Sequence, residues 1–232
     1  MRFFSTLLLI FIVILITGCS LQYKYRNYKN TFENEIQELE QLNDYSDKSN
    51  YLLFIGSSSI KRWNSIERDM APYSVLKRGY GGAHYYDLIH FIERLLIDKN
   101  KAKAVFIFVA NDITKINSWD KMHKNLSPKE IKKLFTIITR KIHKNLSPEI
   151  PIYVIETTPT PSRWEVWSQI ANANDLIKAY TEKKSNLNFI STRNYFLNKN
   201  GLPRGEYFVE DSLHLNNSGY ELWEKIIKKV IE

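Results

Sequence analysis

Tyr51-Leu-Leu-Phe-Ile-Gly56-Ser57-Ser58-Ser59-Ile60 is the stretch whose reading decides the fold. A short apolar run closed by glycine is the mark of a strand buried on both faces. The serines after Gly56 open a helix, so the chain turns sharply from sheet into helix at this point. The same alternation recurs downstream. Tyr73–Lys77 reads as a second strand, leading into Arg78-Gly79-Tyr80-Gly81-Gly82, and a helix is predicted from Tyr85 to Ile97. Ala104–Val109 is the third strand, and Ser127–His143 is a helix with Ser127 as cap and Pro128 at its first position. Ile152–Ile155 is a fourth strand, Val166–Lys183 a helix, Leu187–Ile190 a fifth strand, and Asn217–Ile231 the last helix. Upstream, Phe32, Ile36, Leu39 and Leu42 recur at helical spacing, which predicts a helix over Thr31–Leu42 capped by Thr31. Short apolar strands alternating with helices predict an α/β chain, a three-layer αβα sandwich around a central, mostly parallel five-stranded sheet. Ligands on such sheets bind beyond the carboxyl ends of the strands. Ser58, Gly82, Asn111 and the loop holding Asp211 and His214 all fall on that rim.

The rim residues have a chemistry in common. Asp211-Ser-Leu-His214 places a carboxylate three residues before an imidazole, immediately ahead of the last helix. A buried Asp accepting from one ring nitrogen fixes the tautomer and leaves the other nitrogen free as a base. Acyl transfer also needs a nucleophile and donors for the developing oxyanion. A serine opening a helix after a strand gains free backbone N–H groups and the helix dipole, and Ser58 is so placed. Its own N–H, an N–H from Gly82 in the glycine pair, and the side-chain amide of Asn111 are candidate oxyanion donors. No G-x-S-x-G sequence occurs, so the nucleophile elbow of α/β-hydrolases is excluded.

In these blocks the chain resembles the SGNH (GDSL-type) hydrolases, named for Ser, Gly, Asn and His in separate sequence blocks. Gly56-Ser57-Ser58-Ser59-Ile60 matches the first, with Ser57 where many members carry Asp; Arg78-Gly79-Tyr80-Gly81-Gly82 matches the second, Asn111-Asp112 the third, and Asp211-Ser-Leu-His214 the last. The similarity runs from about Phe32 to the C-terminus and includes Thr160-Pro161-Ser162-Arg163-Trp164, seen in one bacterial subgroup. The resemblance implies a flavodoxin-like SGNH hydrolase fold, Ser58 as nucleophile, His214 as base, Asp211 as its orienter, and Ser58, Gly82 and Asn111 as the oxyanion hole. Block alignment favours Ser58 over Ser57 and Ser59, which carry the same hydroxyl. Block three departs from the pattern: Val109 stands where a Gly is usual, and its branched side chain is expected to narrow the pocket or shift Asn111. The stretch Thr114–Leu126 is long for its place and reads as a lid.

The N-terminus bounds the setting. Met1-Arg2 precedes an apolar run from Phe3 to Ile16 and then Thr17-Gly18-Cys19-Ser20, the pattern of a secretory signal. The run is short for a bilayer span, which needs about 20 residues. Ile16-Thr17-Gly18-Cys19 also resembles a bacterial lipobox, in which the Cys is acylated and becomes the new N-terminus. Cys19 is the only cysteine of the chain and has no disulfide partner, which suits that role. The expected organisation is a lipoprotein signal peptide over 1–18, a polar tether over 19–31, and one hydrolase domain over 32–232, outside the cytoplasm and membrane-anchored through lipidated Cys19. An uncleaved N-terminal anchor is the plainer alternative. Without residues 1–18 the chain keeps 32 Lys and Arg against 25 Asp and Glu, a net charge of +7. Such a surface fits anionic lipid headgroups or acidic glycans. Nucleic acid is excluded as a partner by the export signal and the lack of any binding motif.

No Cys/His cluster and no H-E-x-x-H pattern occurs, so neither a metal nor a cofactor is expected. Trp164 and Trp167 are candidates for lining an acyl or sugar pocket, with packing as the competing role. His84, after the glycine turn, reads as a satisfied loop histidine. His-Lys-Asn-Leu-Ser-Pro occurs at 123–128 and at 143–148, once starting a helix and once ending one, so the two copies share no structural role. The expected activity is serine ester hydrolysis on O-acetylated glycan or short-chain acyl esters. The alternatives are a lysophospholipase- or thioesterase-type lipase, an acyltransferase, and a non-catalytic envelope lipoprotein that uses the fold for binding, the last motivated by Val109.

Overall fold

In the computed structural model, which describes residues 21–42, 50–96, 102–114 and 125–231, the apolar runs become five strands: β1 Tyr51–Gly56, β2 Val75–Gly79, β3 Ala102–Phe108, β4 Ile152–Ile155 and β5 Leu187–Ile190. They form one all-parallel sheet of order β2-β1-β3-β4-β5. The chain winds outward from β1 to β2, then crosses back and winds the other way from β3. The reversal lies between β1 and β3, the place where open α/β sheets bind their ligands. The fold is the three-layer α/β sandwich that the alternation predicts. The signal peptide over 1–18, Cys19 and all of the 114–126 stretch between 115 and 124 lie outside the described residues.

Both faces of the sheet are covered, which is why the strands read as unbroken apolar runs. Every residue of β1 is buried. Its alternation assigns them to two cores: Leu53 and Ile55 join Val105, Ile107 and Ile138 on one face, while Leu52 and Phe54 join Phe106, Trp63 and Trp223 on the other. The first face is covered by α1 Glu33–Gln41, α4 Tyr85–Leu95, α5 Pro128–Asn145 and α6 Trp167–Thr181. The second is covered by the short helices α2 Ser58–Lys61 and α3 Ile66–Asp69 and by the C-terminal α8 Asn217–Ile231; a further single turn, α7 Arg193–Phe196, follows β5. Stacked Phe54 and Phe106 lie 4.4 Å apart, and Trp63 meets Trp223 edge-on at 5.9 Å. Each such side chain contributes about 1.5–3 kcal/mol by leaving water.

Helix starts follow local chemistry. Ser127 caps α5 by accepting from the Glu130 N–H while the Glu130 carboxylate accepts from the Ser127 N–H, with Pro128 in the first turn. Thr31 does not cap α1. The helix starts at Glu33, with Phe32 in the cap position; its ring has no group to make a cap bond and packs on Tyr80 at 5.0 Å. Residues 21–31 are not a free tether either. Tyr25 is buried, its ring stacks on Tyr86 at 5.4 Å, and its hydroxyl donates to Glu130, which also pairs with Lys24. The segment is polar by composition, but tyrosine carries a large apolar ring behind its hydroxyl and buries well.

Candidate active site

The nucleophile candidate is set by a close backbone approach. Gly56 ends β1 at φ 156°, and a Cβ there would lie 1.9 Å from the Phe108 carbonyl oxygen of β3. Only glycine lets the two strand ends meet, and the Ser57 N–H then donates to that carbonyl at 2.9 Å. The chain turns directly into α2, leaving Ser58 at the rim. This helix is a single turn of four residues, too short to develop the dipole that a longer helix would offer. What holds it is packing: Ile60 is fully buried, and the Tyr220 hydroxyl donates to the Ser59 carbonyl at 2.9 Å.

From the far end of the chain, His214 meets this serine. Its Nε2 lies 2.8 Å from the Ser58 Oγ, and its Nδ1 lies 2.6 Å from the Asp211 Oδ2. The bond between Ser58 and His214, which completes the line Asp211–His214–Ser58, joins residues 156 apart in sequence. Asp211 is not the buried carboxylate that the pair suggested. Its side chain is 43% exposed, and its place is fixed by donors instead: the backbone N–H groups of Leu213 and His214 each give a 2.9 Å bond to Oδ1. Partial burial pushes its pKa up, but the hydrogen bonds from His214 and Leu213 and the facing imidazole outweigh this and hold it at about 2. The carboxylate is therefore ionised at neutral pH and orients a ring whose Nε2 is left for the serine proton. The turn is made by Ser212, whose φ of 56° is left-handed. Its carbonyl accepts from the Ser162 N–H at 3.0 Å.

Asn111 follows β3 on the other side of the reversal point. Its Nδ2 donates to the Ala83 carbonyl at 2.9 Å, which ties it to the glycine turn, and its Oδ1 accepts from Arg163 Nη2 at 2.7 Å. Arg163 Nη1 also donates to the Ala110 carbonyl. Gly82 adopts φ 73° one residue before Ala83, beside Asn111 through this bond but not among the residues lining the cavity at Ser58. The next residue, Asp112, is buried and accepts from the Tyr85 N–H that opens α4, at 2.9 and 3.2 Å to its two oxygens. Burial raises its pKa to about 7; the charge of Asp87 pushes the same way, and His84, the Tyr85 N–H and Arg163 oppose. Asp112 and Arg163 thus bind the asparagine loop to the glycine turn and to the loop after β4. Neither role was visible in the sequence, because the partners are backbone groups and, for Arg163, also the Asn111 amide oxygen, with no spacing of their own.

Ser58, Asn111, Arg163 and His214 open into one small cavity, measuring about 20 Å³ at the positions a water centre can take, room for one or two waters. Its walls mix hydroxyl and amide groups with the apolar side chains of Phe108, Phe208, Leu213, Leu215 and Trp223. Among the described residues, the buried side-chain atoms with no hydrogen-bond partner are Ser57 Oγ, Thr158 Oγ1, Thr160 Oγ1 and Trp223 Nε1, and all four of these residues line this cavity. Of the three adjacent serines, Ser58 has its hydroxyl on His214. Val109 does not line this cavity. It is buried in the other face, lining a separate, largely apolar cavity with Ile113, Ile131, Ile170 and Ile177. Trp164 and Trp167 stay away from the cavity as well: they stack on each other at 6.1 Å, half-buried, with the Arg193 guanidinium 5.7 Å over Trp167. His84 is nearly buried, stacked on Tyr86 and 3.1 Å from Asp87. His143 of the second repeat copy bonds the Ile150 carbonyl, while His123 of the first lies outside the described residues. Among the described residues no group of three or more His, Cys, Asp or Glu could hold a metal ion.

The sequence model of the GDSL-like lipase/acylhydrolase family matches residues 56–222, from the glycine before the serines to the last helix. The chain belongs to that family. It is accordingly an SGNH/GDSL-type esterase or acylhydrolase. Solved structures share the fold at low identity. A Streptococcus pneumoniae protein provisionally described as a platelet activating factor is 19% identical, with a TM-score of 0.70 over 98% of this chain and 99% of that one. A GDSL-like lipase of Bacteroides thetaiotaomicron is 16% identical, with a TM-score of 0.61 over 88% of this chain and 98% of that one. The catalytic domain of a Streptococcus pneumoniae peptidoglycan O-acetyltransferase is 13% identical, with a TM-score of 0.53 over 79% and 93%. At such identities they speak for the fold alone. No curated protein matches the chain.

Proposed function

We propose that this GDSL-family chain is a membrane-tethered serine esterase of the cell envelope that removes short acyl groups, acetyl above all, from glycan or other small alcohols. The observation that carries the reading is the Asp211–His214–Ser58 line opening into a cavity with room for one or two waters. A two-carbon acyl group fits such a space, and a long hydrocarbon does not. In the proposed reaction, Ser58 Oγ attacks the ester carbonyl while His214 Nε2 takes its proton. The Asn111 amide and the backbone N–H of Ser58, both on this cavity, receive the oxyanion. His214 then protonates the departing alcohol, and a water deacylates the serine by the reverse route. The acetyltransfer chemistry of the peptidoglycan O-acetyltransferase that shares the fold makes an O-acetyl glycan a reasonable substrate. Lipidation at Cys19 would place the enzyme at the membrane outside the cytoplasm, where a net charge of +7 suits acidic glycans and headgroups.

Hydrolysis of p-nitrophenyl acetate, butyrate and octanoate by residues 20–232, beside Ser58→Ala, tests the reading. Turnover that falls with chain length and vanishes in Ser58→Ala is the expected result. The alternative reading is a lipase acting on longer acyl chains. Octanoate as the preferred ester would select it over the first. Loss of the N-terminal acyl group from the mature protein in Cys19→Ala, read by mass spectrometry and membrane fractionation, tests the anchor. A mature chain without acyl groups would remove that part of the proposal.

A further inference from the structure

We propose that Arg163 is a positioning residue for catalysis, locking the amide of Asn111 in the one orientation that leaves an N–H for the oxyanion. The inference rests on the reading of Ser58 as nucleophile and of this cavity as the site of the reaction. A side-chain amide can sit in two orientations related by a half-turn, and its neighbours decide between them. Arginine has donors only, so the oxygen of Asn111 must face Arg163 Nη2, at 2.7 Å. The Ala83 carbonyl has an acceptor only, so the nitrogen must face it, at 2.9 Å. Flipping the amide would set donor against donor and acceptor against acceptor at once. Of the two Nδ2 hydrogens one is committed to Ala83. The other remains for a negatively charged oxygen in the cavity that Asn111, Ser58 and His214 share.

Arg163 is held for this task at some cost. It is 9% exposed, in a short 3₁₀ segment, Pro161–Val166, that opens with a proline. Burial depresses its pKa to about 10, and the charge of Asp112 only partly offsets this. A buried guanidinium is expensive unless its donors are used, and here Nη1 and Nη2 are spent on the Ala110 carbonyl and Asn111. The same segment braces the other half of the site, since Ser162 N–H holds the Ser212 carbonyl within the Asp211–His214 turn. One loop after β4 thereby fixes the oxyanion donor and the base relative to each other.

A double-mutant cycle on p-nitrophenyl acetate tests the assignment, with sites counted by serine-reactive phosphonate titration and folding followed by thermal melting. Removing one oxyanion donor costs roughly 10²–10³ in kcat. Arg163→Met should lower kcat per titrated site by roughly 10²-fold with KM changed little, because a mispointed amide fails the transition state rather than the ester. In an Asn111→Ala background the same substitution should have no further effect on kcat. Arg163→Gln, which keeps one donor toward the Asn111 oxygen, should recover part of the rate, and it serves as the test variant where Arg163→Met does not fold. Losses that multiply across the two sites, or that disappear once folded sites are counted, would overturn the positioning role. A wild-type protein that neither turns over ester nor labels at Ser58 would instead overturn the esterase reading, and this inference with it.

Discussion

Replacing Asp112 by an asparagine should stabilise the protein, and by an amount that grows with pH. Asp112 is 3% exposed, and its folded pKa is about 7 where an ordinary aspartate has 3.8. Between those values the unfolded chain has released a proton that the folded chain still holds. Stability therefore falls as pH rises through that window and levels off once the folded carboxyl also ionises. The gap is about 3 units, and at 1.36 kcal/mol per unit the accumulated loss is about 4 kcal/mol. The substituted amide would not titrate, yet its oxygen would still accept the Tyr85 N–H that Asp112 accepts at 2.9 Å. Urea unfolding of both proteins at pH 4, 5.5, 7 and 8.5 isolates this group from every other titration. The difference in unfolding free energy should tilt toward Asp112→Asn by up to about 4 kcal/mol between pH 4 and 7, then stay flat. Parallel curves would show that burial does not control this carboxyl. A variant that loses ground at high pH would show that the ionised carboxylate is a net partner of Arg163, and the reasoning would fail.

Three further outcomes follow from the same geometry. Gly56→Ala sets a Cβ 1.9 Å from the Phe108 carbonyl at a backbone φ of 156°; it should cost more than about 3 kcal/mol, or prevent folding, in a urea melt. Deleting residues 20–31 strips buried Tyr25 and its stacking on Tyr86 from the domain, so the truncated protein should lose about 2–3 kcal/mol; an unchanged melting curve would restore the tether that the composition suggested. Thr160→Val replaces a buried hydroxyl without a partner by a methyl of similar shape, so stability should hold within about 1 kcal/mol. The same change leaves the shape of the cavity as it was, so the preference between p-nitrophenyl acetate and propionate should hold, and a shifted profile would show that the hydroxyl contacts the acyl group.

The sheet was legible in the sequence because burial on both faces leaves unmistakable apolar runs. β4 and β5 have the ends that their runs suggest, whereas β2 starts at Val75, two residues beyond the predicted start, and continues through Arg78 and Gly79. Charged residues hide such a strand. Lys77 spends its ammonium on the carbonyls of Lys61 and Trp63, and Arg78 is 1% exposed. The single turns α2, α3 and α7 are too short to show helical periodicity. In the site, the Ser58, Asn111 and Asp211/His214 blocks could be read because their residue types and their places after strands recur together, and the structure brings Ser58, Asn111 and His214 onto one cavity. Arg163 could not be read. It lies within a quoted stretch, but its partners are a carbonyl and an amide oxygen supplied by the end of a different strand. Asp112 was hidden for a like reason, as a carboxylate spent on the N–H of Tyr85 across the sheet rim. The exposure of Asp211 also escaped the reading, because backbone donors rather than burial define its position.

The hydroxyl of Ser58 lies 2.8 Å from His214 and is flanked by two serines of the same chemistry. Reaction of the folded protein with a fluorophosphonate, followed by peptide mapping, measures which hydroxyl is activated. One adduct per chain, on Ser58 and lost in His214→Ala, is the predicted result. An adduct on Ser57 or Ser59, or an unmodified peptide under conditions that label a control serine esterase, would contradict the account.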